Sequence, residues 1–168
     1  MDFQSLYEKH APAVRRFALF LCGNPEMADD ITSETFLRAL QAHGEIRQPT
    51  VRSYLFAIAQ NAYRDLRRRS HRETELDEKR PDTAITAQAH FEQKEELSAV
   101  LAALQELPET DRAILLMRVV DEMPYEEIAS ALDVSVTTAK VKVHRARAKL
   151  MAIREPASEK LTGSGEKL

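Results

Sequence analysis

The side chains with chemistry to offer lie in two short basic runs. From Val134 to Arg154 the chain carries Lys140, Lys142, Arg145, Arg147, Lys149 and Arg154, and no acid. A second run, Arg64, Arg67, Arg68, Arg69 and Arg72, is interrupted only by Asp65. Cations grouped in this way neutralise phosphates. The whole-chain balance conceals them, because 24 Lys and Arg stand against 27 Asp and Glu, a net charge of −3. Much of the excess acid sits between the runs: residues 71–98 hold eight Asp and Glu against four Lys and Arg. A polyanion is therefore the natural ligand of two local surfaces rather than of the whole molecule. The sequence pattern excludes other chemistries. His10, His43, His71, His90 and His144 do not stand with acids at metal-ligand spacing, and no phosphate-binding glycine loop or nucleophile motif occurs. No catalytic residue, metal or cofactor is expected. The single cysteine, Cys22, excludes an intramolecular disulfide and a cysteine-rich zinc site, and reads as a small buried apolar side chain.

The first run reads as the second helix of a helix-turn-helix. Pro124 precedes a short apolar-periodic segment, Tyr125–Leu132, and Asp133-Val134-Ser135 makes a tight break in which Ser135 is a natural N-cap. Val136, Ala139, Val143, Ala146 and Leu150 then follow at spacings of 3, 4, 3 and 4 and form one inward stripe. The opposite face presents Thr137, Thr138, Val141, His144, Arg145, Ala148 and Lys149. Short hydroxyls near the start and cations further along suit a helix laid in a major groove, and Val141 is placed to touch a thymine methyl. Arg147 lies beside the inward stripe and is expected to pair with Glu126 or Glu127.

The second run ends a different helix. Val51, Leu55, Ile58, Ala59, Ala62 and Leu66 make its core stripe, and Tyr54, Ala57, Asn61, Arg64 and Arg68 make another at the same spacing. An aromatic ring to stack on a base, an amide to read a base edge and arginines, Arg67 included, to hold phosphates suit an unpaired strand. Packing of Tyr54 in the core is an equal alternative. The preceding helix turns Ala28, Ile31, Thr35, Phe36 and Ala39 inward, which leaves Leu37 outside, ringed by Asp30, Ser33, Glu34 and Gln41. A leucine among carboxylates suits docking on a basic protein surface.

These surfaces must be positioned by helices. Four Gly and seven Pro among 168 residues, with 30% charged, point to an all-α chain of two small helical domains joined by a flexible linker. Helices are expected from Phe3 to Cys22, with a kink or restart at Pro12, then from Pro25 to Ala42 and from Thr50 to His71. Gly23 stops the first and Asn24-Pro25 starts the second. Residues 43–49 read as a loop. The boundaries are an N-terminal domain over 1–72, an acidic linker over 73–90, a helix-turn-helix domain over 91–154 and a disordered tail over 155–168. No apolar run approaches the roughly 20 residues of a membrane span. The start Met1-Asp2-Phe3-Gln4 lacks the pattern of a secretory signal. A cytoplasmic protein without membrane association is the expectation.

In order and spacing these segments resemble a bacterial extracytoplasmic-function (ECF) RNA polymerase sigma factor. Ala28–Ala39 is similar to that family's polymerase-binding helix. Val51–Asn61 with Asp65-Leu66-Arg67-Arg68-Arg69 is similar to its promoter-melting helix. Leu107-Pro108-Glu109-Thr110-Asp111-Arg112, Tyr125–Ala129 and His144–Leu150 are similar to its C-terminal domain. The resemblance implies a promoter-specificity subunit rather than an enzyme. Asp30, Glu34 and Leu37, with Ser33 and Gln41 beside them, would dock on the β′ clamp helices of core RNA polymerase. The 43–49 loop with Tyr54, Asn61 and Arg64 would capture the unpaired minus-ten strand. Thr137, Thr138, Lys140, Val141, His144 and Arg145 would read the minus-thirty-five duplex of promoter DNA, and the acidic linker would thread a basic channel of the polymerase. An anti-sigma factor is implied as a further partner. Ser33 stands where the family often has Gln, Tyr54 where it often has Trp, and Asp133 where Gly is frequent. The alternative is a free-standing helix-turn-helix regulator that binds duplex DNA without polymerase. In the free chain the second block is also able to fold onto the first and hide both basic faces.

Overall fold

The chain's punctuation residues act as the sequence implies. In a computed structural model that describes residues 2–42, 49–76 and 92–154, Asp2 caps the first helix by accepting a hydrogen bond from the Ser5 N–H at 2.7 Å. Helix α1, Phe3–Cys22, runs unbroken through Pro12, so no restart occurs there. Gly23 ends it in the left-handed conformation at φ 74°, where its N–H reaches the Leu19 carbonyl at 2.8 Å. Asn24 accepts from the Glu26 and Met27 N–H groups and starts α2, Pro25–Gln41, with Pro25 in its first turn. Helix α3, Val51–Leu76, begins with a reciprocal cap between Thr50 and Ser53. It continues five residues past the expected His71, because Arg and Glu propagate a helix without any apolar stripe to bury.

The second block holds α4 (Glu92–Gln105), α5 (Glu109–Val119), α6 (Tyr125–Leu132) and α7 (Val136–Arg154), and every regular element among the described residues is a helix. Asp133 supplies the left-handed residue of the α6–α7 turn at φ 54°, and Ser135 Oγ accepts from the Thr138 N–H at 3.0 Å. The 43–49 loop, apart from Pro49, lies outside the described residues, as do residues 77–91 of the linker and the 155–168 tail.

Each block is built around its amphipathic stripes. Phe17 of α1 stacks on Phe56 of α3 with ring centroids 4.8 Å apart, and Ile31, Thr35 and Phe36 of α2 close the same core. In the second block Ala113 to Met117 of α5 are all buried, along with Ile128 of α6 and Ala139, Val143 and Ala146 of α7. The two cores are continuous: α1 lies against α4 and α5, and α3 lies against α6. The linker therefore joins two blocks that share one interior.

Candidate nucleic-acid interface

The inward stripe of α7 decides what its other face offers. Ala139, Val143 and Ala146 are fully covered, and Val136 and Leu150 are partly so. Thr137, Lys140, Val141, His144, Arg145, Ala148 and Lys149 are exposed, with Thr138 half-buried beside the cap and Ser135 exposed at the helix start. Val141 is 56% exposed although it is apolar, on a face that the other described residues do not cover. Lys140 places its ammonium 5.7 Å from the Tyr125 ring centre, which Arg118 approaches at 4.6 Å.

Two cations of α7 have a partner inside the block. Asp111, in the first turn of α5, takes both Nε and Nη2 of Arg145 at 2.9 Å and the Lys142 ammonium at 3.2 Å. Its side chain is 2% exposed. Burial pushes this carboxyl up, but the hydrogen bonds from Arg145 and Lys142 outweigh burial and hold it below the usual carboxylate range. The expected partnership of Arg147 with Glu126 or Glu127 does not form. Arg147 is exposed, and the Glu127 carboxylate turns to α3 instead, where Thr50 donates to it at 3.2 Å and Arg52 lies 3.6 Å away. Packing of α3 against α6 decides this, and the spacing within α6 and α7 carries no sign of it.

Two cations of α3, Arg64 and Arg52, are answered from across the block boundary. Arg64 Nε donates to Glu109 of α5 at 2.7 Å. Arg52 Nη1 donates to the Asp121 carbonyl at 3.0 Å, and Arg16 of α1 donates to the Asp121 carboxylate at 3.1 Å. Burial raises the Asp121 carboxyl above its ordinary range, only partly offset by Arg16 and Arg52. Asn61, Arg67 and Arg68 are exposed, with Arg67 resting on the Tyr63 ring and hydroxyl and Arg68 3.7 Å from Asp65. Tyr54 is half-buried and packs against the core, so its side chain serves packing while staying partly exposed.

The blocks are joined most firmly at the end of α1. Arg112 is 3% exposed and, among the described residues, bonds carbonyls and a hydroxyl rather than a carboxylate. It donates to the carbonyls of Leu21, Leu104 and Leu107 and to the Tyr63 hydroxyl. Gln105 adds bonds to the Phe20 and Leu21 carbonyls, and a Cβ on Gly23 would stand 3.1 Å from the Gln105 amide nitrogen. The Phe20 and Leu21 carbonyls, which no helical N–H reaches, are thus satisfied by the other block, and a cation sits at the negative end of the helix dipole. Beside them, burial raises the Cys22 thiol to about 11, which keeps it a neutral thiol donating to the Asn24 carbonyl.

On α2, Asp30, Ser33, Leu37 and Gln41 are exposed as expected, but Glu34 is drawn to Arg38, which also bonds Asp65 of α3. Leu40, absent from the sequence-based set, stands 52% exposed one turn from Leu37 at 48%. Its spacing of three from Leu37 was the available signal. Asp111, Glu109 and Arg112 were visible only as polar residues of one helix start, because their partners come from other elements. The second block does fold onto the first, yet it covers only part of the basic surface. The outer face of α7 stays open and Arg64 of α3 is engaged. Among the described residues no three His, Cys, Asp or Glu side chains converge on a metal-sized site, and no helix is long and apolar enough to cross a membrane.

Comparison with known proteins supports the two blocks separately and together. Residues 6–73 match the family described as Sigma-70 region 2, and residues 97–150 match Sigma-70, region 4. The ECF RNA polymerase sigma factor EcfG of Rhodopseudomonas palustris is 35% identical over 144 residues, covering 84% of this chain and 79% of that protein. Among solved structures, the sigma factor RpoE of Bartonella quintana, in complex with the anti-sigma factor NepR, aligns with a TM-score of 0.72 at 22% identity, covering 92% of this chain and 98% of that one. CnrH, in complex with the cytosolic domain of CnrY, aligns with a TM-score of 0.71 at 25% identity over 91% of this chain and 87% of that one.

Proposed function

The chain belongs to the ECF RNA polymerase sigma factors, and on that premise we propose how its surfaces divide the work of a promoter-specificity subunit. Sigma factors are transcription initiation factors, and the reaction they direct belongs to core RNA polymerase. The outer face of α7 reads the minus-thirty-five duplex through Thr137, Thr138, Lys140, Val141, His144 and Arg145, with Ser135 and Lys149 on flanking phosphates. Asn61, Arg64, Arg67 and Arg68 of α3 hold the unpaired minus-ten strand beside Tyr54. Asp30, Ser33, Glu34, Leu37 and Gln41 of α2 dock on the β′ clamp helices, and an anti-sigma factor competes for these faces. The domain boundaries fall at 72, 90 and 154, and the protein works in the cytoplasm. One observation carries this reading: an acid-free open face on α7 in a chain whose other basic helix has Arg64 held by Glu109 of the second block. The Arg64 Nε cannot donate to Glu109 and to a phosphate at once. On this reading a phosphate that takes the Arg64 Nε displaces Glu109 and the blocks part on polymerase, and the tether then raises the effective concentration of each DNA contact.

The test is transcription from a genomic DNA library with purified core RNA polymerase, with and without the chain. Chain-dependent RNA starts, with weak duplex binding by the chain alone, are expected. Tight duplex binding without polymerase and no new RNA would favour the free-standing regulator instead.

A further inference from the structure

The contact between Asp111 and Arg145 closes one edge of the guanidinium and leaves the other open. Both Nε and Nη2 of Arg145 point at the carboxylate at 2.9 Å. Five N–H groups radiate from a guanidinium, so Nη1 and the outer hydrogen of Nη2 still face away from Asp111. The Arg145 side chain is 57% exposed while its partner is 2% exposed, so the anchored edge is inside and the free edge is at the surface. Arg145 lies four residues after Val141 and one after His144, both exposed, on the face already assigned to the duplex. Lys142 is held by the same carboxylate, is only 24% exposed, and is turned away from that face.

An exposed arginine without such an anchor samples many rotamers and loses that freedom on binding. Here the guanidinium plane is fixed before DNA arrives. The free Nη1–Nη2 edge has the spacing that matches O6 and N7 of guanine, the commonest specific contact in a major groove. We propose that Asp111 is a specificity-determining positioning residue: it aims Arg145 so that the chain reads one guanine of the duplex element, and it withdraws Lys142 from the DNA. The inference rests on the duplex-reading role of α7. It adds that selectivity at one base pair depends on a buried acid of α5. Asp111 has a second effect, since it cancels one of two cations. Its loss leaves a more positive but less selective surface.

The experiment uses the full chain assembled with core RNA polymerase and a randomised duplex library. If the assembly enriches no duplex sequence, the duplex-reading role itself fails. If it does, affinities are measured for the enriched duplex, for variants with each guanine replaced, and for a scrambled duplex. Wild type should prefer guanine at one position by about tenfold, and Arg145→Ala and Arg145→Lys should both abolish that preference. Asp111→Asn should cut the preference to about threefold or less while binding to the scrambled duplex rises a few-fold, as a net cation is gained. An unchanged guanine preference in Asp111→Asn overturns the proposal, as does an equal loss on every duplex. Should Asp111→Asn not fold, nitrogen relaxation at Arg145 Nε in the free wild-type chain decides. A guanidinium as mobile as that of Arg147 overturns the proposal, and one markedly more rigid supports it.

Discussion

Helices α3 and α7 are both basic, both amphipathic and both read as nucleic-acid surfaces, yet their counter-charges come from different places. Arg145 and Lys142 of α7 are answered by Asp111, a residue of the same block. Arg64 and Arg52 of α3 are answered by Glu109, Asp121 and Glu127, all from the other block. Helix α7 consequently keeps the same charge arrangement whether or not the blocks touch, whereas Arg64 and Arg52 of α3 are released only when they part. A charge partner inside a domain pre-organises a site, and a partner across a boundary makes the same kind of site conditional. On the proposed division of roles, the duplex surface is available first and the strand surface follows polymerase binding.

The largest expected effect comes from removing the arginine that joins the blocks. Arg112→Ala removes a buried donor from the carbonyls of Leu21, Leu104 and Leu107, leaving Leu21 with Gln105 alone and Leu104 with the Leu107 N–H alone. A loss on the order of 3–5 kcal/mol is expected by urea unfolding. If the comparison holds, hydrogen exchange accelerates at the end of α1 and the start of α5. Duplex binding by the polymerase assembly should change little at temperatures where the variant is folded. Loss of duplex binding in step with stability would mean that α7 depends on the closed arrangement as much as α3 does.

Next in size is the division of labour between the helices. Arg145→Ala should weaken duplex binding about tenfold. Asn61→Ala should leave duplex binding intact and lower promoter opening about fivefold, measured by permanganate reactivity of unpaired thymines. The Asn61 side chain is exposed, so its replacement should not move the melting temperature appreciably, whereas Arg145→Ala strips the buried Asp111 carboxylate of its bidentate partner and should lower it. Equal losses in both assays for both variants would erase the distinction between the two faces.

Acid titration separates the in-block partner from the cross-block one, because the two aspartates shift in opposite directions. Asp111 is lowered, so its contribution to stability is present above the ordinary carboxylate value and is lost as pH falls through its folded value, below about 3.9. Asp121 is raised, chiefly by burial, so its contribution is present below the ordinary value and is lost as pH rises through its folded value. Urea unfolding between about pH 3 and pH 6 should therefore show opposite trends. Relative to wild type, Asp111→Asn becomes worse as pH rises, and Asp121→Asn becomes better. Parallel trends would break the contrast between the two partners.

Most of the architecture was legible because local chemistry fixes it. Gly23, Asn24 and Pro25 mark a helix end and start that the structure reproduces, and so do Asp133 and Ser135 at the tight turn. The 3, 4, 3, 4 stripe of α7 predicted both its buried and its open face. The misses share one cause. Glu127 pairing with α3 rather than Arg147, Arg64 meeting Glu109, and Arg112 closing on α1 all depend on which blocks touch, and helical periodicity carries no information about that. Arg64 looked like a phosphate ligand from its residue type, and its neighbours in sequence gave no sign of Glu109, 45 positions away. The extension of α3 to Leu76 was missed for a different reason: charged residues sustain a helix without a stripe to reveal it.

The smallest effect isolates the conditional half of the comparison in a single pair. Arg64 and Glu109 are 40% and 24% exposed, so their ion pair is partly hydrated and contributes at most about 1 kcal/mol to holding the blocks together. Glu109→Gln keeps the shape of the first turn of α5 and removes the charge that competes with phosphate for Arg64. Binding of a single-stranded oligonucleotide by the free chain should rise about twofold to threefold, and most of that gain should vanish in the double variant with Arg64→Ala. Duplex binding should stay as it was, since Arg145 keeps Asp111. The gain should also shrink once core polymerase is present, because an assembly that has already parted the blocks has no Glu109 contact left to remove. A gain of the same size with and without polymerase would place the competition elsewhere than at the block boundary.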